Sequence, residues 1–224
     1  MGEDVSVIIP AYNESDCILR TLKGLKGIES IKEIIVVDDG STDSTYQILK
    51  PLGDIILLRN KYNEGKGSAV RHALNYATNR FVALLDADIC ESAAEIYKLI
   101  EHINPCGKSI IIGRLPAPAR KGGFGIVKQL SSGCFRAMTS RNVDPILSGQ
   151  RVLPLDFLKS IELPSGFGLE FKLTLEAVRR GYEVIEVPVD MRHRETGRNI
   201  SGFMHRGKQC IDIIHIIRNE MKQL

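Results

Sequence analysis

The sequence contains no tryptophan, and its aromatic residues make up only 6% of the chain, so stacking platforms for nucleic-acid bases are few. Basic and acidic residues nearly cancel, 30 against 27, and the net charge of +3 is too small to mark a nucleic-acid partner. Nowhere do eighteen apolar residues run together, which removes a membrane-spanning helix from consideration. The opening MGEDVSVIIP lacks the basic-then-apolar order of a signal peptide. The five cysteines, Cys17, Cys90, Cys106, Cys134 and Cys210, are odd in number, scattered, and without a Cys-x-x-Cys pair. That spacing argues against a disulfide framework and a structural zinc site, and for a soluble protein in a reducing, cytoplasmic compartment.

What is present is a regular alternation. Short β-branched runs at 5–9, 33–37, 54–58 and 81–85 are separated by helical patterns near 15–25, 43–50, 66–77 and 92–103. Strand–helix alternation predicts an α/β fold with a parallel sheet and right-handed crossovers. The runs are continuously apolar, as befits strands covered on both faces. A fifth strand is expected at 109–113, a helix at 124–139, a short strand at 151–152, a helix at 168–180, a strand at 183–189 and a closing helix at 202–223. Between them LPAPARKGGFG is too irregular for a packed element and reads as a mobile or ligand-ordered loop. With 224 residues and no repeat or linker, a single domain over 1–224 is expected.

The stretch FVALLDADIC ends a buried-strand pattern in two carboxylates separated by one alanine. Alternate residues of a strand share a face, so Asp86 and Asp88 should lie close together, and their repulsion calls for a cation. In open α/β sheets ligands sit outside the carboxyl ends of the strands. Every conspicuous polar cluster falls at such an end: PAYNE after the first run, DDGSTD after the second, RNKYNEGKG after the third and DAD after the fourth. The acidic pairs lie in the first ninety residues, whereas Arg114, Arg120, Lys121, Lys128, Arg136, Arg141 and Arg151 crowd the middle, so a metal site should precede an anion site. EGKGS lacks P-loop spacing, and Gly65-x-Gly67 breaks the dinucleotide fingerprint at Val70. The loop PAYNE also replaces the glycine-rich turn with which a nucleotidyltransferase would open.

VSVIIPAYNES, EIIVVDDGSTDST, RNKYNEGKGSAVRHAL and FVALLDADI together resemble the family 2 glycosyltransferases and their GT-A fold. The resemblance implies that Asp86 and Asp88, with Ala87 between them, carry Mg²⁺ or Mn²⁺ on the diphosphate of a nucleotide-sugar donor, Asp88 being the catalytic member. It implies that Asp39 bonds the nucleoside, that Pro10, Tyr12 and Glu14 flank it, and that Lys66 reaches a phosphate. Asp38 is expected to turn inward and fix the loop, with Ser41, Thr42 and Asp43 as helix-capping residues.

The second half, LSGQRV and PSGFGLEFKLTLEAVRRGYEVIEVPVDMRHRETGR, is similar in outline to polyprenyl-phosphate sugar transferases and in detail closer to glucosyl-3-phosphoglycerate synthases. This implies a third metal ligand at His193 and an acid at Glu170 that serves as general base in inverting relatives, or holds acceptor or loop in retaining ones. His72, His102, His205 and His215 are assigned structural roles. Arg114 and Arg151, with Gly149 and Gln150, are the candidates for an acceptor phosphate, since guanidinium forks match phosphate oxygens. Residues 1–113 would then be the donor half and 114–202 the acceptor half, with 203–224 a terminal helix. Its stripe Ile211, Ile214, Ile217 and Met221 suits a membrane surface, its own domain or a second copy in a homodimer.

The expectation is transfer of a hexose from a nucleoside diphosphate sugar, UDP-glucose or a GDP-sugar, to a small phosphorylated acceptor. Two alternatives stand beside it: a polyprenyl phosphate at a membrane surface, and a nucleotide-sugar-binding module without catalysis. Cys90, where a glutamine often follows the acidic pair, weighs against the lipid.

Overall fold

The computed structural model describes residues 3–116, 124–164 and 168–194, together with Arg218. Residues 117–123 of the expected loop, with Arg120 and Lys121, lie outside the described residues, as do the side chain of Lys128 and the closing helix apart from Arg218.

Seven strands form one sheet: β1 (Val5–Ala11), β2 (Ile31–Asp38), β3 (Ile56–Arg59), β4 (Phe81–Leu84), β5 (Ser109–Arg114), β6 (Arg151–Pro154) and β7 (Glu183–Pro188). Their order is β3-β2-β1-β4-β6-β5-β7. All neighbours pair in parallel except β6, which runs antiparallel to both β4 and β5. The parallel sheet expected from alternation is therefore mostly parallel, with one reversed strand. That reversal matters for the site. It delivers the residues just before β6, Gly149 and Gln150, to the edge where the other strands end.

Between the strands lie α1 (Ile18–Leu25), α2 (Thr45–Leu49), α3 (Lys66–Ala73), a 3-10 turn (Cys90–Glu95) leading into α4 (Ile96–Ile100), α5 (Phe124–Thr139), α6 (Leu155–Lys159) and α7 (Leu169–Arg179). Alternate strand residues feed two cores, one on each face of the sheet. Ile8, Ile35, Val37, Val82 and Leu84 meet α3, α5, α6 and α7 on one face. Val7, Ile9, Val36, Phe81 and Ala83 meet α1, α2 and α4 on the other. Strand order reverses between β1 and β4, and a crevice opens at such a reversal, beyond the strand ends.

Two expectations are corrected at this level. Cys17 and Cys90 are joined by a disulfide across 73 residues, so the cysteines are not all free thiols. Their distance in sequence concealed that β1 and β4 are neighbours, which places the start of α1 beside the turn after β4. The helix expected at 92–103 opens as a 3-10 turn instead, with Cys90 in the left-handed region at φ +50°.

Phe135 anchors α5 by meeting Phe171 of α7 edge-on, their ring centroids 6.1 Å apart and both side chains fully buried. Truncating it would leave a cavity between those helices. Phe135→Ala is expected to cost about 3–5 kcal/mol of unfolding free energy, read as a lower urea midpoint at unchanged slope.

Candidate active site

The loop after β1 is built on Asn13, whose φ of +57° suits asparagine better than most residues. Its side-chain oxygen accepts from the backbone N–H of Thr42 at 2.8 Å, and its own N–H donates to Ser41 Oγ at 2.9 Å. The loops after β1 and β2 are thereby fixed to each other. Tyr12 stands exposed between them, with Pro10 and Glu14 half-buried on either side. Asp38 turns inward as expected, accepting from Ser41 N–H at 3.1 Å and pairing with Arg59 at 3.0 Å. Asp39 is also buried: it accepts from Asn60 Nδ2 at 2.7 Å and from the N–H groups of Glu64 and Gly65 at 3.1 and 2.8 Å. It thereby orders the whole segment leading to Lys66.

Lys66, first residue of α3, points its ammonium at two carboxylates, Asp86 Oδ1 at 2.5 Å and Glu170 Oε1 at 2.6 Å. Burial alone would lower the lysine's affinity for its proton, but the Asp86 and Glu170 charges outweigh it and hold the ammonium above the ordinary range. Burial likewise opposes the charge on Asp86. Lys66 and His193, with hydrogen bonds from Lys66 and Gln150, reverse this and keep its carboxyl below the usual carboxylate range. Gln150 clamps Asp86 from both ends, its Nε2 donating to Oδ2 at 2.7 Å and its Oε1 accepting from the Asp86 N–H at 3.1 Å.

Asp88 lies two residues further on, in the turn that follows β4. His193 Nδ1 is 2.9 Å from Asp88 Oδ1, and its Nε2 is 3.9 Å from Asp86 Oδ2. Burial opposes a charge on the ring, yet the hydrogen bond to Asp88 and the two acidic charges raise its proton affinity above that of ordinary imidazole. The segment after β7 that carries His193 is pinned over the site by Arg192 N–H on Ser92 Oγ at 3.1 Å and Arg194 N–H on the Asp88 carbonyl at 2.9 Å. Arg194 reaches Asp16 at 3.0 Å and stands 3.5 Å from Glu14. Glu14 is pushed up to about 7 by burial and by the Asp88 charge, with Arg194 opposing. One of its oxygens is buried without a hydrogen-bond partner.

Asp86, Asp88 and His193 each offer a ligand atom within 4.8 Å of the others. Two carboxylates and an imidazole form a donor set suited to Mn²⁺ or Mg²⁺, with further positions left to water and phosphate oxygen.

Residues 6–150 match the family described as Glycosyl transferase family 2. The chain belongs to that family. An uncharacterized protein of Methanocaldococcus jannaschii is 30% identical over 225 residues, spanning 90% of this chain and 88% of that one. Undecaprenyl-phosphate mannosyltransferase of Micrococcus luteus is 26% identical over 211 residues, spanning 87% and 86%. Glucosyl-3-phosphoglycerate synthase from Mycobacterium tuberculosis in complex with phosphoglyceric acid superposes with a TM-score of 0.80 at 21% identity, covering 96% of this chain and 79% of that one. The same enzyme with Mn²⁺, uridine diphosphate and glucosyl-3-phosphoglycerate gives 0.79 at 21%, covering 95% and 78%. At that identity the structural likeness establishes the fold, the GT-A arrangement of a mostly parallel sheet between helices.

This family 2 glycosyltransferase departs from the expected acceptor site. Arg151 is fully buried, and its guanidinium donates to Ser148 O, Thr174 Oγ1 and Ile146 O, each at 2.7 Å. Burial lowers its proton affinity to about 10, with Glu170 and Asp86 opposing. With those donors engaged, it is a core cation and not a phosphate ligand. Gln150 is committed to Asp86, and Gly149 sits against Asp86 and Lys66, so both frame the acidic cluster instead of an acceptor. Arg114 remains exposed at the end of β5, lining a cavity of about 670 Å³ with Lys98, Pro116, Pro188 and Asp190. Arg194 and Asn60 were not singled out by the sequence. MRHR was read for His193 and LLRN as the end of a strand, and only the fold shows what Arg194 and Asn60 touch.

Two expectations follow for the ligand-free enzyme. A Cβ at Gly149 would fall on both Asp86 oxygens and 2.7 Å from Lys66 Nζ. Gly149→Ala should therefore displace the acidic pair, costing about 1–3 kcal/mol in thermal unfolding and most of the turnover. For Glu14 the sign is set by its shift from 4.5 to about 7. Across that window the native state keeps a proton that the unfolded chain gives up, so stability falls as pH rises through it. Glu14→Gln should match the parent below the window and exceed it above by on the order of 2 kcal/mol, after allowing for solvent screening. Melting temperatures across pH 4 to 9 provide the check.

Proposed function

We propose that this glycosyltransferase moves a hexosyl group from a nucleoside diphosphate sugar, UDP-glucose foremost, to a small phosphorylated acceptor in a metal-dependent reaction. The convergence of Asp86, Asp88 and His193 carries the reading. It is supported by the Mycobacterium tuberculosis complexes, whose ligands include Mn²⁺, uridine diphosphate, phosphoglyceric acid and glucosyl-3-phosphoglycerate.

In this reading Asp86, Asp88 and His193 hold Mn²⁺ or Mg²⁺ over the crevice between β1 and β4. The ion, when bound, neutralises charge on the departing diphosphate. Lys66 supplies a second cation beside it, already protonated and positioned by Asp86 and Glu170. Tyr12 offers a ring face to the base, with Pro10 and Glu14 beside it, while Asp39 shapes the wall by holding residues 60–65. Ala87, between the two acids, is buried with its methyl group in the core, so its main chain is the part that would meet the donor. Glu170, at the first turn of α7, faces the same ammonium from the acceptor half, where it orients the attacking hydroxyl or takes its proton. Of the two arginines expected to meet an acceptor phosphate, Arg114, which lines its cavity, keeps that role in this reading. Residues 1–113 then form the donor half and 114–202 the acceptor half.

A second reading, a polyprenyl phosphate acceptor, draws on the Micrococcus luteus mannosyltransferase, which this chain matches over most of both lengths. Among the described residues no helix is long and apolar enough to cross a membrane.

Binding to the native state raises its melting temperature, so UDP-glucose with Mn²⁺ should shift it upward more than either alone. Asp88→Asn should keep the fold, lose the Mn²⁺-dependent part of that shift and lower turnover at least a hundredfold, about 3 kcal/mol or more of transition-state stabilisation. An unaltered rate removes the assignment. Detergent-free transfer to 3-phosphoglycerate favours the soluble acceptor, and activity confined to polyprenyl phosphate favours the second.

A further inference from the structure

We propose that the Cys17–Cys90 cystine is a reversible thiol switch on the metal-binding loop: opening it releases the stretch from Asp88 to Cys90 from its covalent tie to the start of α1 and weakens divalent-ion binding. The inference rests on the metal assignment above, and the thiol count below tests the cystine apart from it.

Cys90 follows Asp88 by two residues, and its sulfur lies 4.0 Å from the Asp88 carbonyl oxygen. Cys17 begins the turn into α1, its N–H donating to the Glu14 carbonyl at 3.1 Å. The bond therefore links the two loops that flank the crevice, one bearing the acidic pair and the other Tyr12 and Glu14. Cys90 itself sits at φ +50°, a left-handed conformation that non-glycine residues rarely adopt. A cysteine released there can relax, and the main chain of Asp88 is two residues away.

The neighbouring contacts are those of a switch that opens without unfolding. Thr21 Oγ1 donates to Ala87 O at 2.7 Å, and Arg20 pairs with Glu91 through two bonds of 2.7 Å. Gly24 packs its backbone so closely on Glu91 O and Ala93 that an added Cβ would lie 2.9 Å from the carbonyl. These ties hold the Ala87 carbonyl and Glu91 to α1 when the sulfurs part, so the freedom gained is confined to the residues between them, Asp88 to Cys90. Access is one-sided as well: Cys17 is fully buried, whereas Cys90 is half-buried. A dithiol reductant attacks at Cys90. Its thiolate forms a mixed disulfide with Cys90 as the Cys17–Cys90 bond breaks, and Cys17 leaves as a thiolate that takes up a proton. The second thiol of the reductant, losing its own proton, then attacks its partner sulfur and releases Cys90, which is protonated in turn. The cystine gains two electrons and two protons, and the dithiol becomes a cyclic disulfide. In reducing compartments, disulfides that do form are commonly transient and redox-sensing.

The test uses the full chain, oxidised and after dithiothreitol treatment under argon. Three thiols should titrate before reduction and all five cysteines after it. Mn²⁺ binding, followed by the electron paramagnetic resonance of the free ion, should weaken on the order of fivefold or more in the reduced form. Amide exchange should quicken in 88–90 while the sheet stays protected. Reoxidation should restore both, and the Cys17→Ser/Cys90→Ser double variant should behave as the reduced form whatever the reductant. Five titratable thiols in air-purified protein would overturn the proposal. So would a lower melting temperature on reduction with unchanged Mn²⁺ affinity, the signature of a permanent staple. Absence of Mn²⁺ binding in both forms would sink the metal assignment and the coupling together, while a count of three thiols would leave the cystine itself standing.

Discussion

One ammonium group, Lys66 Nζ, holds the acidic floor of the site together. Its two partners come from distant parts of the chain, Asp86 at a separation of 20 residues and Glu170 at 104. The start of α3, the end of β4 and the first turn of α7 therefore meet at a single charge. Two carboxylates brought this close would repel, and each would pay a desolvation cost, unless a cation stood between them. The cation in turn is tolerable only because both acids are there, since removal of one partner of a buried pair typically costs about 3–5 kcal/mol. Gly149 leaves the space in which the three groups meet, and Gln150 uses both ends of its amide to hold Asp86 in place.

Around this centre the charges are close to balance. Glu14, Asp86, Asp88 and Glu170 bring four carboxyl groups to the crevice; Lys66 and Arg194 face them directly, and Arg151 lies behind, near enough for Asp86 and Glu170 to oppose its loss of a proton. His193 and Glu14 adjust what is left. The imidazole is drawn toward its protonated form by the two aspartates, and Glu14 toward its neutral form by burial and by Asp88. Both responses reduce negative charge in the same place. The fold thus tolerates an acidic cluster by moving protons onto its two softest members, the compensation a bound cation would otherwise supply.

Much of this was legible in the residues. Continuous apolar runs marked strands covered on both faces, and the polar clusters following them marked one edge of the sheet, because parallel strands all end on the same side. The closeness of Asp86 and Asp88 was expected from strand alternation, but β4 ends at Leu84 and the two acids meet in the turn that follows it. The inward turn of Asp38 was foreseen, but that of Asp39 was not, since nothing in DDG shows that the N–H groups of Glu64 and Gly65 would come to it. Arg151 misled for a related reason. An arginine after a glycine-rich turn looks like an anion ligand, and only the antiparallel course of β6 draws it under the site, toward Ser148, Ile146 and Thr174. Four residues, RVLP, are too few for any periodicity to reveal strand direction.

The same reversal explains why the donor half was easier to read than the acceptor half. Wherever strands run parallel, the residues after a strand reach the functional edge, and sequence order maps onto site order. At β6 the residues before the strand reach it, so Gly149 and Gln150 arrive beside Asp86 from the opposite direction. From there the chain still has to supply α7 with Glu170 and the strap with His193. Each comes from an element whose place depends on long-range packing and not on its own pattern. Chemistry held by contiguous motifs could be located from types and spacing, whereas chemistry assembled by crossing strands emerges only in the fold.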